Sequence, residues 1–192
     1  MAYIGLYGVY YSKGVITDGV LTGYSGVQTM GKAISANFAP ETGDQNVLYA
    51  NNGIAETDGA ATAGGTLTLG LDRLKATAIA DLYGLTAATE SGATGFNFTG
   101  NEVANPVGVA FIRQKQEDND RNLHEVVIFS HVTFSLPSDE ATTLGESVEW
   151  QTPEIEGTVV SGNALGTYPW MKKFTFTSQT DAITFITSYF AA

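Results

Sequence analysis

The chain has 192 residues, no cysteine and a net charge of −11, and only 15% of its residues are charged. The lack of cysteine excludes disulfides, thiolate catalysis and cysteine-ligated zinc. A hydrophobic content of 43% fits one folded domain, residues 1–192, with a sizeable core. The charged fraction is well below the roughly 25% of average chains. Thr, Ser, Asn and 22 Gly must cover the shortfall, or surface is buried in an assembly. No base lies between Asn122 and Met171, a span with seven acids. Such a surface repels phosphate and argues against a direct grip on nucleic acid, although nucleic acid could slide past it; taken alone, the acidity reads as a means of keeping the protein soluble. The opening Met-Ala-Tyr-Ile-Gly-Leu-Tyr-Gly lacks the basic start and long apolar run of a signal peptide. No apolar run approaches a membrane span. The expectation is a chain made and kept in a cytoplasm unless lysis releases it.

In chain order, residues 3–11 are rich in Tyr and Val with two glycines, and predict an irregular edge strand or an extended arm. Asp18-Gly19 between Val15-Ile16-Thr17 and Val20-Leu21 predicts a type I′ hairpin. Residues 27–38 hold a strand that ends at Pro40. Residues 41–65 are rich in Gly, Asn, Ala and Thr, too long for an ordinary connection. They read as a loop that orders against something, with a short strand near Ile54–Glu56. Its apolar residues Val47, Leu48, Tyr49 and Ile54 are candidates for subunit contact. Thr66–Leu71 alternates as a strand. Leu71, Leu74, Ala78, Leu82 and Leu85 then form a helical stripe. The helix is placed at 73–83, capped by Asp72 and ended by Gly84. Residues 90–106 read as linkage with one strand at 95–98.

Residues 107–151 are the centre of the chain. Val107, Val109 and Phe111 alternate on one strand, and Val126, Ile128, Val132 and Phe134 on a second, joined at 117–120. The even face of the second strand is assigned to the core. A third strand, Ser147–Gln151, would put Val148 and Trp150 in the core too. The opposite face supplies Glu125, Thr133, Glu149 and Gln151, candidates to line a channel. Arg113, Lys115, Asp118 and Asp120, toward the hairpin tip, are further candidates for subunit contact. Residues 153–160 may extend the third strand past a kink, and Trp170–Thr177 alternates as another strand. The tail carries Ala182, Ile183, Ile186 and Phe190 at helical spacing behind Ser178 or Thr180. Its Thr and Ile content lowers helix propensity, so helix is preferred to strand rather than required.

No reaction centre emerges. His124 and His131 lie seven apart on one strand, which predicts opposite faces and no shared metal. Ser25 lacks the Gly-x-Ser-x-Gly elbow. Asp118, Asp120 and Asn122 begin like a calcium loop, but Leu123 stands at the turn glycine and Phe129 at the bidentate glutamate. Glu154 and Glu156 could share a face, yet two carboxylates alone make no glycosidase. The expectation is no enzyme, no cofactor and no metal.

Several segments together resemble one family. They are the opening Met1–Tyr11, Leu48-Tyr49-Ala50-Asn51-Asn52-Gly53 with Glu56, and Val109–Arg113. They continue with Val132–Ser135, Gly145–Gly157 and the closing Lys173–Thr177. The family is the major tail protein of long-tailed, non-contractile bacteriophages (siphophages). The resemblance implies a mainly β fold, two packed antiparallel sheets in a sandwich or barrel with a flanking helix. It implies hexameric rings stacked into a tube in the virion, assembled in the host cytoplasm. Partners would be other copies of the chain, a tape-measure protein, and tail terminator and tail-tip proteins. DNA would be present only in transit through the lumen, without membrane anchoring. Two other readings compete: a β-sandwich carbohydrate- or receptor-binding module, with Tyr and Trp as stacking rings, and an acidic hydrolase using Glu154 or Glu156.

Overall fold

A computed structural model describes residues 2–43, 46–59, 62–117, 120–138, 141, 143, 150–161 and 168–191. β1 (Ala2–Thr17) and β2 (Val20–Tyr24) form a hairpin. Asp18 and Gly19 carry φ of 52° and 77°, the positive pair that a type I′ turn needs. β3 (Gln28–Gly31) and β4 (Ala33–Thr42) follow, the latter running through Pro40. β5 (Asn46–Ala50) and β6 (Gly53–Asp58) pair across Asn51 and Asn52, both at positive φ. β7 (Thr62–Leu71) leads into α1 (Ala76–Tyr83). β8 (Ala87–Glu90) and β9 (Ala93–Phe96) turn on Ser91-Gly92, again both at positive φ. β10 (Val107–Glu117), β11 (Asp120–Phe134), β12 (Glu154–Val160), β13 (Met171–Phe176) and α2 (Gln179–Tyr189) complete the chain.

The fold is mainly β. One nine-stranded antiparallel sheet runs β2-β1-β10-β11-β12-β7-β4, with β3 also on β1 and β13 also on β11. The path does not close into a barrel. β1 is therefore not a simple edge: Ala2–Tyr7 pair with β10 alone, Val9–Tyr11 with both β10 and β3, and Gly14–Thr17 with β2.

β11 holds the sheet together. One of its edges pairs with β10 along most of its length. The other divides: 124–129 pair with β13 and 131–134 with β12. Between the pairs Val109↔Phe129 and Val107↔Val132, β11 has one residue more than β10. This is a β-bulge. Before it, Val127 and Phe129 face one cluster and Val126 and Ile128 the other. After it, Val132 and Phe134 join Val127 and Phe129. The even face of β11 is thus not one continuous core face, because the bulge at Ser130–His131 exchanges parity and both faces are buried.

The first cluster gathers Val9, Tyr11, Val109, Phe129, Leu67, Leu69 and Ile155 from both halves of the sheet path. α1 closes it with Ala78 and Leu82, and Leu71 and Leu85 are buried as the stripe requires. The helix is shorter than expected at its start. Lys75 is its N-cap and makes no side-chain cap bond. Asp72 instead accepts the N–H groups of Lys32 and Arg73 at 2.7 and 2.9 Å, tying α1's approach to β4. Gly84 ends the helix at φ 65°, as expected. The second cluster is the other face of β10–β11, covered by Ala182 and Ile186 of α2 and by Phe190 at its C-cap. Ser178 caps α2, accepting from the Asp181 N–H at 3.4 Å.

Trp150 corrects the expectation of a third strand at 147–151. It is 86% exposed and lies outside any strand, while the strand that pairs with β11 begins at Glu154. Val148 lies outside the described residues. The tryptophan that packs inside is Trp170, stacked on Phe38 with centroids 5.5 Å apart.

α2 lies close on β10 because residue 108 is glycine. A Cβ there would come within 2.6 Å of the Tyr24 ring and closer still to Phe190. Gly108→Ala should cost about 1–3 kcal/mol by overpacking. A thermal melt showing a Tm lowered by several degrees checks this.

Candidate functional site

Among the described residues no group of His, Asp and Glu is arranged to hold a metal ion, and no helix is long and apolar enough to cross a membrane. The bulge corrects the expected placement of the histidines. Ser130 reaches Tyr189 of α2 at 3.1 Å, and His131 follows on the same side as His124. Seven residues of strand still separate them by about 23 Å. Burial lowers the pKa of His131. A depression of about 300 Å³ beside α1 is lined by Thr86, Asn97, Thr99, Asn101 and Glu102. Its one carboxylate is engaged by its own loop: Glu102 accepts the N–H groups of Thr99 and Gly100.

Polar groups converge near the tip of the β10–β11 hairpin. The register sets Arg113 opposite Glu125, Tyr3 opposite Lys115, and Glu125 opposite Thr175. Four strands thus bring one side chain or more to the same face. Glu125 is 5% exposed. Its Oε2 accepts from Arg113 Nη2, and its Oε1 lies 2.5 Å from Lys115 Nζ. The Tyr3 hydroxyl donates to Glu125 at 3.2 Å, and its ring lies under the Arg113 guanidinium at 4.1 Å. Burial pushes the Glu125 carboxyl up, but hydrogen bonds and charge from Lys115 and Arg113 outweigh it, and the net direction is down. Arg113 and Lys115, expected at subunit contacts, are therefore committed within the chain, and Glu125, expected to line a channel, has both oxygens engaged.

The outward face of β12, β7 and β4 has a different character. Register rows read Thr133-Thr158-Thr66-Ala39 and Glu156-Thr68-Asn37. Glu154, Glu156 and Thr158 are exposed, while Ile155, Gly157 and Val159 point inward. Thr133 lies half-buried on this face. Gln151 is exposed in the segment before β12, and Glu149 lies outside the described residues.

The short strand expected near Ile54–Glu56 is β6, but the rest of 41–65 is more ordered than the expected loop: its described residues form the ends of β4 and β7 and a hairpin arm between them. β5 and β6 pair with each other in a separate two-stranded sheet. Leu48 is 59% and Tyr49 68% exposed. Val47 and Ile54 lie on the same two strands. Asp120 opens β11 opposite Glu117, and Asp118 lies outside the described residues.

The sequence matches no protein-family model and no curated protein. Glu154 and Glu156 do share an exposed face, as their spacing allowed, and Thr158 extends that row, which the sequence reading did not include. The strict apolar–polar alternation of Glu154–Val160 was the signal that could have shown it.

The ion cluster sets a pH dependence. A carboxyl held below its unfolded value contributes stability that is present above the ordinary glutamate range and lost as pH falls through the folded value. Glu125→Gln leaves two cations facing each other without their anion, costing about 3 kcal/mol at neutral pH. That is the low end for a buried pair, since Arg113 keeps 26% of its side chain exposed. The difference from wild type should shrink below pH ~4. Urea unfolding at pH 7 and pH 3.5 measures both.

Proposed function

We propose that the chain is a structural, non-enzymatic subunit that assembles with copies of itself: the major tail protein of a long-tailed, non-contractile phage. Hexameric rings of it would stack into the tail tube, the virion conduit for DNA. The observation that carries this reading is the β5–β6 arm, which presents Leu48 and Tyr49 to solvent on a hairpin that pairs with no other strand among the described residues. Ordering such an arm costs roughly 1–2 kcal/mol per residue, and burial against a neighbour offsets it.

The rest of the molecule is compatible. The β1–β10–β11 and β12–β7–β4 parts of the sheet share one core, as two packed sheets of a tail-tube sandwich would. The outward face of β12–β7–β4 is the best candidate for a lumen wall. It offers Thr133, Thr158, Thr66 and Thr68 with Glu154 and Glu156. DNA phosphate passes such a face without being held. A tape-measure protein before ejection, and terminator and tip proteins at the ends, are the further partners this role requires.

Electron microscopy of the concentrated protein tests the reading, with rings or tubes as the expected result. Leu48→Ser with Tyr49→Ser should leave the circular dichroism spectrum and Tm within experimental error while abolishing higher-order assembly. Unchanged tubes from that variant would remove the arm from the contact.

One observation favours a second reading, a carbohydrate- or receptor-binding module: Trp150 is 86% exposed, as a stacking ring would be. Trp150→Ala should change stability by no more than about 0.5 kcal/mol. A variant that keeps its Tm but loses binding on a glycan array, in a protein that stays monomeric, would establish the module instead.

A further inference from the structure

The depression at the C-terminal end of α1 is walled by Thr86, the start of β8 and the loop 97–102, over a floor of Gly84 and Leu85. The loop is fastened from two sides. Glu102 accepts the N–H groups of Thr99 and Gly100 and, at 2.9 Å, the Thr99 hydroxyl. Such bonds, that of the Thr99 N–H first, hold its carboxyl down to about 2, so the clasp stays charged across the physiological range. Further on, Asn105 ties the chain to α1. Its backbone N–H donates to the Leu82 carbonyl at 3.0 Å and its side-chain amide to the Asp81 carbonyl at 2.8 Å. Gly84 permits this approach, since a Cβ there would come within 2.4 Å of the Val103 carbonyl oxygen. Leu85 is buried, and Phe96, just before the loop, packs against the same core.

The walls offer hydrogen bonds without free charge. Thr86, Asn97 and Asn101 are exposed, and their side chains have no partner among the described residues. From Ala76 to Ile112 the sequence holds no Lys, Arg or His, and its acids are Asp81, Glu90 and Glu102. Asp81 takes the Tyr11 hydroxyl at 2.8 Å, Glu102 is committed to its own loop, and Glu90 stands at the end of β8. This stretch therefore has no base to pair with a phosphate or carboxylate, and one tethered carboxylate does not make a cation site. A volume of about 300 Å³ lies at the small end of ligand sites and suits one ring-sized polar molecule. Phe98 stands between Asn97 and Thr99 in the same wall and is 60% exposed. An exposed ring beside hydroxyl and amide groups presents an apolar face to a ligand that is otherwise polar.

We propose that this depression binds one neutral sugar residue of a glycan, with Thr86, Asn97 and Asn101 hydrogen-bonded to its hydroxyls and Phe98 against its C–H face. A side-chain amide both donates and accepts, as a sugar hydroxyl does, so each asparagine can meet two hydroxyls at once. The site does not rest on self-assembly, and Trp150 has no part in it.

Saturation-transfer difference NMR reads such a contact in monomers and assemblies alike. The probes are the methyl glycosides of glucose, galactose, mannose and N-acetylglucosamine, with methyl phosphate and acetate as anionic controls. At millimolar concentration at least one glycoside should gain signal and neither anion should. Asn97→Ala with Asn101→Ala should weaken that glycoside at least tenfold with Tm unchanged, and Phe98→Ala should weaken it too. Ala87→Trp, which fills the depression without removing a polar group, should abolish the signal, whereas Trp150→Ala should leave it intact. No signal from any glycoside would overturn the proposal, as would a signal that survives both the double asparagine variant and Ala87→Trp. A signal lost on Trp150→Ala alone would overturn it in favour of the carbohydrate module centred on that ring. Each of these outcomes leaves the assembly reading standing, and absence of rings or tubes with the glycoside signal intact would overturn assembly alone.

Discussion

One extra residue in β11 governs the architecture. Without the bulge at Ser130–His131, Val132 and Phe134 would face the α2 side, where Ser130 already meets Tyr189. With it, both are buried beside Leu67, Ile155 and Val159 in the α1-closed core. Burial of two such side chains is worth about 1.5–3 kcal/mol each. The bulge falls where the outer partner of β11 changes from β13 to β12. Bulges bend and twist their strand, so the second half of β11 can lead β12, β7 and β4 away from the plane of β13. The two clusters and their separate helices follow from that division.

This explains which parts of the fold were legible in the sequence. α2, the Asp18-Gly19 turn, the Glu117–Asp120 hairpin and the stripe of α1 were readable because each rests on local chemistry or one unbroken period. The faces of β11 were not, because a period-2 argument holds only until a residue is inserted, and a Ser-His pair gives no sign of insertion. The reading of Trp150 failed for a related reason. Val148 and Trp150 alternate correctly, but alternation does not say whether a partner strand is present, and β11 already has β12 at that edge. Of the arm only the strand at Ile54–Glu56 was read; its partner was missed because Asn51-Asn52 supplies the two positive φ angles of the turn with no glycine at either position. Of the candidate site residues, Leu48 and Tyr49 were found as exposed apolar groups, whereas Glu125 was misjudged because face assignment alone did not show that Arg113 and Lys115, across its own hairpin, turn to the same face and that Tyr3 of β1 closes over them.

The ion cluster shows how a chain with few charges uses them. Two of nine basic residues are committed to Glu125, with Tyr3 between strand ends. A buried pair seldom adds net stability over an apolar alternative. What it adds here is position. Tyr3 belongs to the part of β1 that pairs only with β10, and a ring held against Arg113 and hydrogen-bonded to Glu125 resists fraying of that segment. The consequence reaches the proposed tube: a carboxylate neutralised in this way lends a lumen little negative potential, so the acidity of any channel must come from exposed groups such as Glu154 and Glu156.

Self-assembly of a chain carrying −11 faces an electrostatic difficulty. Neighbouring copies would repel one another on average, and in the proposed tube the repulsion would grow with every ring added. Apolar contact through Leu48 and Tyr49 is non-directional and could not by itself select one orientation.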